Sequence, residues 1–162
     1  MTAQPLRAVL FDLGNTLWQA RQNPDGPDRE PFSDALPALR ELKAQGLRLG
    51  IVSDQTDGTA CRARLDYWGM TSLFDVIALS CEVGCDKPNP RLFRVALHAL
   101  GVEPHEAVMV GDNLQADVAG ALALGMRSIW RRLPGQELDA NVEPDAIIES
   151  LAELPGILAR WR

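Results

Sequence analysis

The chain has 162 residues, 46% apolar and 23% charged, with a formal net charge of −6 at pH 7. This balance is that of a soluble globular protein with room for a proper core, and predicts one domain spanning residues 1–162. The negative charge argues against nucleic acid or an anionic membrane as partner, because either requires a positive face to neutralise phosphates. No window approaches the ~18 apolar residues of a membrane span, and the first residues lack the layout of a signal peptide, so a cytoplasmic location is expected. Three cysteines, Cys61, Cys81 and Cys85, make an odd number for a disulfide framework. No second Cys/His pair completes a zinc site, and they read as reduced, partly buried thiols. Arg131 and Arg132 read as a solvated pair.

In chain order, short apolar runs alternate with amphipathic stretches. Strands are predicted at Arg7–Phe11, Leu47–Val52, Val76–Leu79, Ala107–Val110 and Arg127–Trp130, with a short edge strand at Ala146–Ile148. The stretch 19–31, QARQNPDGPDREP, has three prolines and one glycine and reads as an exposed loop. Leu36, Leu39 and Leu42 repeat at helical spacing up to Gly46. Pro90 opens a helix whose apolar face is Leu92, Phe93, Ala96, Leu97 and Leu100, ending at Gly101. Another runs from Asn113 to Gly125, and a last one covers Leu151–Trp161 with an interruption at Pro155. The alternation predicts α/β architecture: a three-layer α/β/α Rossmann-like domain with a mainly parallel five- or six-stranded sheet.

In an open parallel sheet, ligands bind beyond the carboxyl ends of the strands. The polar residues there form a set. Asp12 follows AVLF, Ser53 and Asp54 follow LGIV, Asp112 follows AVMVG, and Asp117 comes five residues later. Asp86-Lys87-Pro88 lies in the loop before the Pro90 helix. The chain has 14 arginines and only 2 lysines, so Lys87 is an unusual choice. Taken singly, an Asp or Ser after a strand is a helix cap, Asp117 a solvated helix acid and Lys87 a surface lysine. Together, three carboxylates at one edge need compensation, since clustered like charges disfavour ionisation. A divalent cation supplies it, and Asp12 and Asp112 suit the all-oxygen octahedral preference of Mg2+, which binds through one or two carboxylates and substrate phosphate. Lys87 and Ser53 can then hold the remaining oxygens of a phosphoryl group while Asp12 attacks phosphorus.

With these motifs in hand, the chain resembles the haloacid dehalogenase-like hydrolases, most of which are Mg2+-dependent phosphatases. FDLGNTL is similar to that family's first motif, IVSD to its second, DKPNPRLF to its third and VGDNLQAD to its fourth, over about residues 7–132. The resemblance implies an aspartyl-phosphate on Asp12 and phosphoryl binding by Ser53 and Lys87, with Asn15 and Asp54 beside them. It implies Mg2+ held by Asp12, Asp112 and the Gly14 backbone carbonyl, with Asp117 supporting the metal shell.

Two positions depart from the family pattern. Gly14 stands where its phosphatases usually place a second aspartate, an acid–base role typically worth ~10²–10⁴-fold, so turnover is expected to be slow or limited to good leaving groups. Asp54 stands where the family often has asparagine; protonated, it could donate a hydrogen bond or deputise as the acid. The text between the first and second motifs is too short and polar for a separate cap domain. The site is therefore open to large substrates such as phosphoproteins, or to phosphorylated small molecules, or is closed by another subunit of a homo-oligomer. Three other readings remain: a weak or inactive phosphate- and metal-binding protein, favoured by Gly14; a 2-haloacid dehalogenase, disfavoured by Asp112; and a phosphoacceptor signalling domain, whose accepting aspartate follows a middle strand of the chain.

Overall fold

The order in which the apolar runs pair sets up the site. The structure is a computed structural model and describes residues 5–22 and 25–162. In chain order its first elements are β1 (Ala8–Phe11), β2 (Trp18–Ala20), β3 (Arg29–Pro31), α1 (Ala35–Ala44), β4 (Arg48–Ser53), α2 (Gly58–Tyr67) and β5 (Val76–Leu79). There follow α3 (Ser80–Val83), α4 (Pro90–Leu100), β6 (Ala107–Gly111), a π-helical segment (Leu114–Ala119), α5 (Gly120–Leu122), β7 (Arg127–Arg131), β8 (Ala146–Ile148) and α6 (Leu154–Ala159).

Six strands form one sheet in the order β5-β4-β1-β6-β7-β8, with every adjacent pair parallel. This is the six-stranded form of the expected Rossmann-like fold. β1 comes first in the chain but lies inside the sheet, between β4 and β6, where the strand order reverses. All four of its residues are fully buried. Side chains alternate across a strand, so Val9 and Phe11 join the core that holds Leu39 and Leu42 of α1, while Ala8 and Leu10 join the core with Leu92 and Phe93 of α4. Two cores on opposite faces of one sheet are the three layers. Each fully buried Leu or Phe contributes roughly 1.5–3 kcal/mol by leaving water.

The helix signals at α4 hold: Asn89 Oδ1 accepts the Arg91 N–H at 3.0 Å, Pro90 occupies the first turn, and Gly101 takes the left-handed cap at φ 62°. The sequence pattern does not disclose α2, because only Cys61 and Leu65 of it are buried. Its start is instead a side-chain cap, Asp57 Oδ1 accepting the Ala60 N–H at 2.9 Å.

Four expectations are corrected. The 19–31 stretch is no plain loop: its ends pair antiparallel as β2 and β3, with Trp18 opposite Pro31 and Ala20 opposite Arg29; Asn23 and Pro24, within that stretch, lie outside the described residues. Trp18 packs into the main core, so the hairpin is fastened to the body and has no separate core among the described residues. Pro155 does not interrupt the last helix but sits in the first turn of α6, where its missing N–H costs nothing, after a 3₁₀ turn at Leu151–Glu153. Arg131 is not solvated. It is 4% exposed, its guanidinium stacks 4.0 Å from the Phe32 ring centroid and donates to the Asn15 carbonyl at 3.2 Å, because the inner strand β7 leaves its end no solvent side. All three cysteines are free, with Cys61 buried, Cys85 half-buried and Cys81 exposed, the last against expectation. No helix among the described residues is long and apolar enough to cross a membrane.

Candidate active site

Parallel pairing in register brings the carboxyl ends of β1, β4 and β6 together: Phe11 sits beside both Ile51 and Val110, and the Asp12 N–H continues the ladder to the Val110 carbonyl at 3.0 Å. Asp12, Ser53 and Asp112 thereby meet around a cavity of about 530 Å3, which Gly14, Asn15, Asp54, Lys87 and Asp117 also line. All the site residues anticipated from the sequence fall on this one cavity.

At its floor lies Lys87, 8% exposed and no surface lysine. Its ammonium donates to Asp12 Oδ1 at 2.8 Å, Asp117 Oδ1 at 2.7 Å and the Val52 carbonyl at 3.0 Å, which uses all three of its protons. Burial pushes the Lys87 amine down, but the adjoining Asp12 and Asp117 carboxylates more than reverse this and hold it above its ordinary value. The backbone of Lys87 is positioned separately. Asp54 Oδ1 accepts its N–H at 2.9 Å, and the Lys87–Pro88 peptide is cis. Asp54 therefore works here as an acceptor, whatever else it does; burial raises its pKa.

Asp117 is fully buried, on the π-helical segment. There the Val118 N–H reaches back five residues to the Asn113 carbonyl at 3.3 Å, a local widening of the kind often found at functional sites. One Asp117 oxygen takes Lys87 and the other accepts the Asn113 N–H at 3.0 Å. The carboxylate lies flat against the end of β6: a Cβ on Gly111 would come within 2.2 Å of Asp117 Oδ2. Any larger residue at position 111 would have to displace this carboxylate.

Asp112 has looser partners. The buried Thr16 hydroxyl donates to its Oδ1 at 3.4 Å, while Trp130 Nε1–H donates to its backbone carbonyl at 2.9 Å. Burial first, and then the Asp12 carboxylate, lift its pKa to about 6; burial and Asp12 also raise that of Asp117. Ser53 is 1% exposed and its Oγ accepts from Gln55 Nε2 at 2.9 Å, leaving its own proton free to donate. Asn15 adopts a left-handed conformation at φ 56°, which turns the loop after Asp12 and offers its carbonyl to Arg131.

Oxygens of Asp12, Asp112 and Asp117 lie within 4.8 Å of one another. Three carboxylates with one ammonium leave a negative excess, which adds to burial in raising Asp112. An all-oxygen set of this sign suits a divalent cation such as Mg2+, although Asp117 is already committed to Lys87.

Sequence reasoning missed Thr16, Gly111, Trp130 and Arg131. The signals were thin: a threonine inside an apolar motif, a glycine closing a strand, and two residues of β7 whose N–H groups need partners when buried.

Residues 25–125 match the haloacid dehalogenase-like hydrolase family. The chain belongs to that family. It is 38% identical over 136 residues to a phosphoserine phosphatase of Thermus thermophilus, covering 84% of this chain and 52% of that protein. It is 34% identical to a ribulose-1,5-bisphosphate 5-phosphatase of Halopiger xanaduensis, covering 98% of this chain and 67% of that one. Among solved structures, a HAD phosphatase from Thermococcus onnurineus superposes with a TM-score of 0.82 at 27% identity, covering 94% of this chain and 98% of that one. The chain spans about half the length of the first curated relatives it matches, 52% and 50%.

Proposed function

We propose that this haloacid dehalogenase-like hydrolase is a Mg2+-dependent phosphohydrolase of phosphorylated small molecules, acting through an aspartyl-phosphate on Asp12. The observation that carries the reading is the Lys87 ammonium shared between Asp12 and Asp117 at 2.8 and 2.7 Å, at the floor of a cavity ringed by further acids. A buried lysine held charged beside a carboxylate nucleophile has a clear task, which is to receive the oxygens of a phosphoryl group. The several phosphatases among the relatives support the same reaction class.

In the first step an Asp12 carboxylate oxygen attacks phosphorus and the ester P–O bond breaks. The leaving alkoxide takes its proton from solvent, since Gly14 offers no side chain. In the second step water attacks the same phosphorus, the P–O bond to Asp12 breaks, and inorganic phosphate leaves with Asp12 restored as carboxylate. Lys87, by giving up its hydrogen bond to Asp12 as that carboxylate bonds phosphorus, and the free proton of Ser53 hydrogen-bond the transferring oxygens. Losing one such donor typically costs ~10²–10³ in kcat. Thr16 and Trp130 hold Asp112, and Asp54 holds the Lys87 backbone. Mg2+, when held by Asp12, Asp112 and the Gly14 carbonyl, supplies the positive charge that lets a dianionic phosphate approach an acidic site.

Turnover of para-nitrophenyl phosphate with Mg2+, abolished in Asp12→Asn, tests the proposal. Absence of turnover across a panel of phosphate monoesters, together with absence of Mg2+ binding, would overturn it. Gly14 specifically favours a second reading, a phosphate- and metal-binding protein with vestigial turnover. The two part at Gly14→Asp, treated below.

A further inference from the structure

The cavity changes character from floor to rim. Its floor carries the acids and Lys87, whereas its rim carries two guanidiniums, Arg29 from β3 and Arg64 from α2. They differ in how they are engaged. Arg64 is committed to Asp28 on the hairpin, through Nε to Oδ1 and Nη2 to Oδ2 at 3.2 Å. Arg29 is exposed and, among the described residues, makes no side-chain hydrogen bond or ion pair; its charge only helps, after Arg64, to lower the pKa of Asp28.

That vacancy sits on a fastened backbone. Trp68 Nε1 donates to the Arg29 carbonyl at 2.9 Å, and Arg21 links the neighbouring strand by lying 5.9 Å from the Trp68 ring centroid and 3.9 Å from Glu30. Cross-strand partners share a face of a hairpin and successive residues alternate. With Ala20 opposite Arg29 and Trp18 opposite Pro31, Arg29 projects on the same face as Trp18, which is 2% exposed in the core. Glu30 takes the other face. Arg29 lines the cavity, as do Trp18 and Gln19 of the other strand, whereas Glu30 does not.

We propose that Arg29 is a subsite for a second anionic group of the substrate. The substrate class is then small phosphorylated compounds that also carry a carboxylate or a second phosphate, the phosphoryl group going to the Lys87 floor and the second anion to the rim. A guanidinium presents a planar fork that matches either anion in two hydrogen bonds. This assignment rests on the phosphohydrolase reading for the meaning of the floor, and adds to it the chemistry of the rest of the substrate. A cavity of about 530 Å3 has the size of a metabolite site, not of a peptide groove.

Binding is measured by titration calorimetry with Mg2+ on Asp12→Asn, which cannot transfer a phosphoryl group, so the answer does not depend on turnover. 3-Phosphoglycerate is compared with glycerol 3-phosphate, which replaces its carboxylate by CH2OH, and fructose 1,6-bisphosphate with fructose 6-phosphate. The preferred anion, in one pair or both, binds about tenfold more tightly than its matched neutral compound, the scale of one charge-assisted pair. Adding Arg29→Ala brings that ratio near one, and Arg29→Lys restores part of it. Which pair responds tells carboxylate from phosphate. Equal affinities within both pairs, no measurable binding, or a preference that survives Arg29→Ala overturns the subsite. Para-nitrophenyl phosphate turnover by the unaltered chain is followed alongside. Its absence with the preference intact sinks only the phosphohydrolase reading, and its presence without the preference sinks only the subsite.

Discussion

Lys87 Nζ lies 2.7 Å from Asp117 Oδ1, and both side chains are almost wholly out of solvent, at 3% and 1% exposure. Removing one partner of a buried pair leaves an uncompensated charge. Asp117→Ala should therefore cost about 3–5 kcal/mol in urea unfolding, and Asp117→Asn less, since an amide oxygen can still accept one of the two hydrogen bonds. A loss below about 1 kcal/mol for Asp117→Ala would mean that Asp12 alone satisfies Lys87.

Gly111→Ala tests the same carboxylate from its other side. The added methyl would sit 2.2 Å from Asp117 Oδ2 and 2.3 Å from its Cγ, so the acid must move and carry Lys87 with it. Overpacking of this sort typically costs about 1–3 kcal/mol, and here turnover should fall as well. Unchanged melting temperature and kcat would show that the segment after β6 yields freely.

Gly14 is the reverse case. A Cβ there meets nothing within 4 Å, and its φ lies outside the left-handed range, so a side chain is accommodated without strain. Gly14→Asp should leave stability within about 0.5 kcal/mol, as for a surface change, and raise kcat on alkyl phosphates toward the ~10²–10⁴-fold that acid–base help provides. No gain would favour the binding-protein reading.

Metal binding should be linked to protons at Asp112. Burial and Asp12 raise its pKa from 3.8 to about 6, so the folded chain holds this proton more tightly than the unfolded chain. Without metal, that contribution to stability is present at low pH and is lost as pH rises through about 6. A cation would relieve the repulsion that appears there. Mg2+ at 100 times its Kd should raise Tm by about 5–10 °C at pH 7.5, and by clearly less at pH 5, in differential scanning fluorimetry. An equal shift at both values would remove Asp112 from the metal site.

Arg131→Met should loosen the loop behind Asp12. It removes the donor to the Asn15 carbonyl and the stack on Phe32, while a methionine fills much of the volume. A loss of about 1–3 kcal/mol is expected, as for a buried acceptor left without its donor, with Mg2+ affinity weakened because Gly14 is the adjoining residue. Mg2+ titration of the variant reads the second effect separately from the first.

Legibility followed the physics of each element. β1 and β6 are buried on both faces, so composition alone marked them, and Val76–Leu79 and Ala146–Ile148 were marked to the residue. α2 escaped because it buries only two residues, and the hairpin because its ends pair through backbone hydrogen bonds that polar, proline-rich text does not announce. The acids, the hydroxyl and the lysine were readable as a set, since each follows an apolar run in a parallel sheet.

The sequence by itself thus determined the α/β alternation and the edge at which polar residues gather. Only the tertiary structure decided partners. That Lys87 answers to Asp117 and Asp12 together, that Arg131 is buried beneath Asn15, and that Arg29 shares the face of Trp18 all depend on contacts between residues far apart in the chain or on a strand register. Periodicity reports which face of an element is apolar; it does not report what another element places against that face.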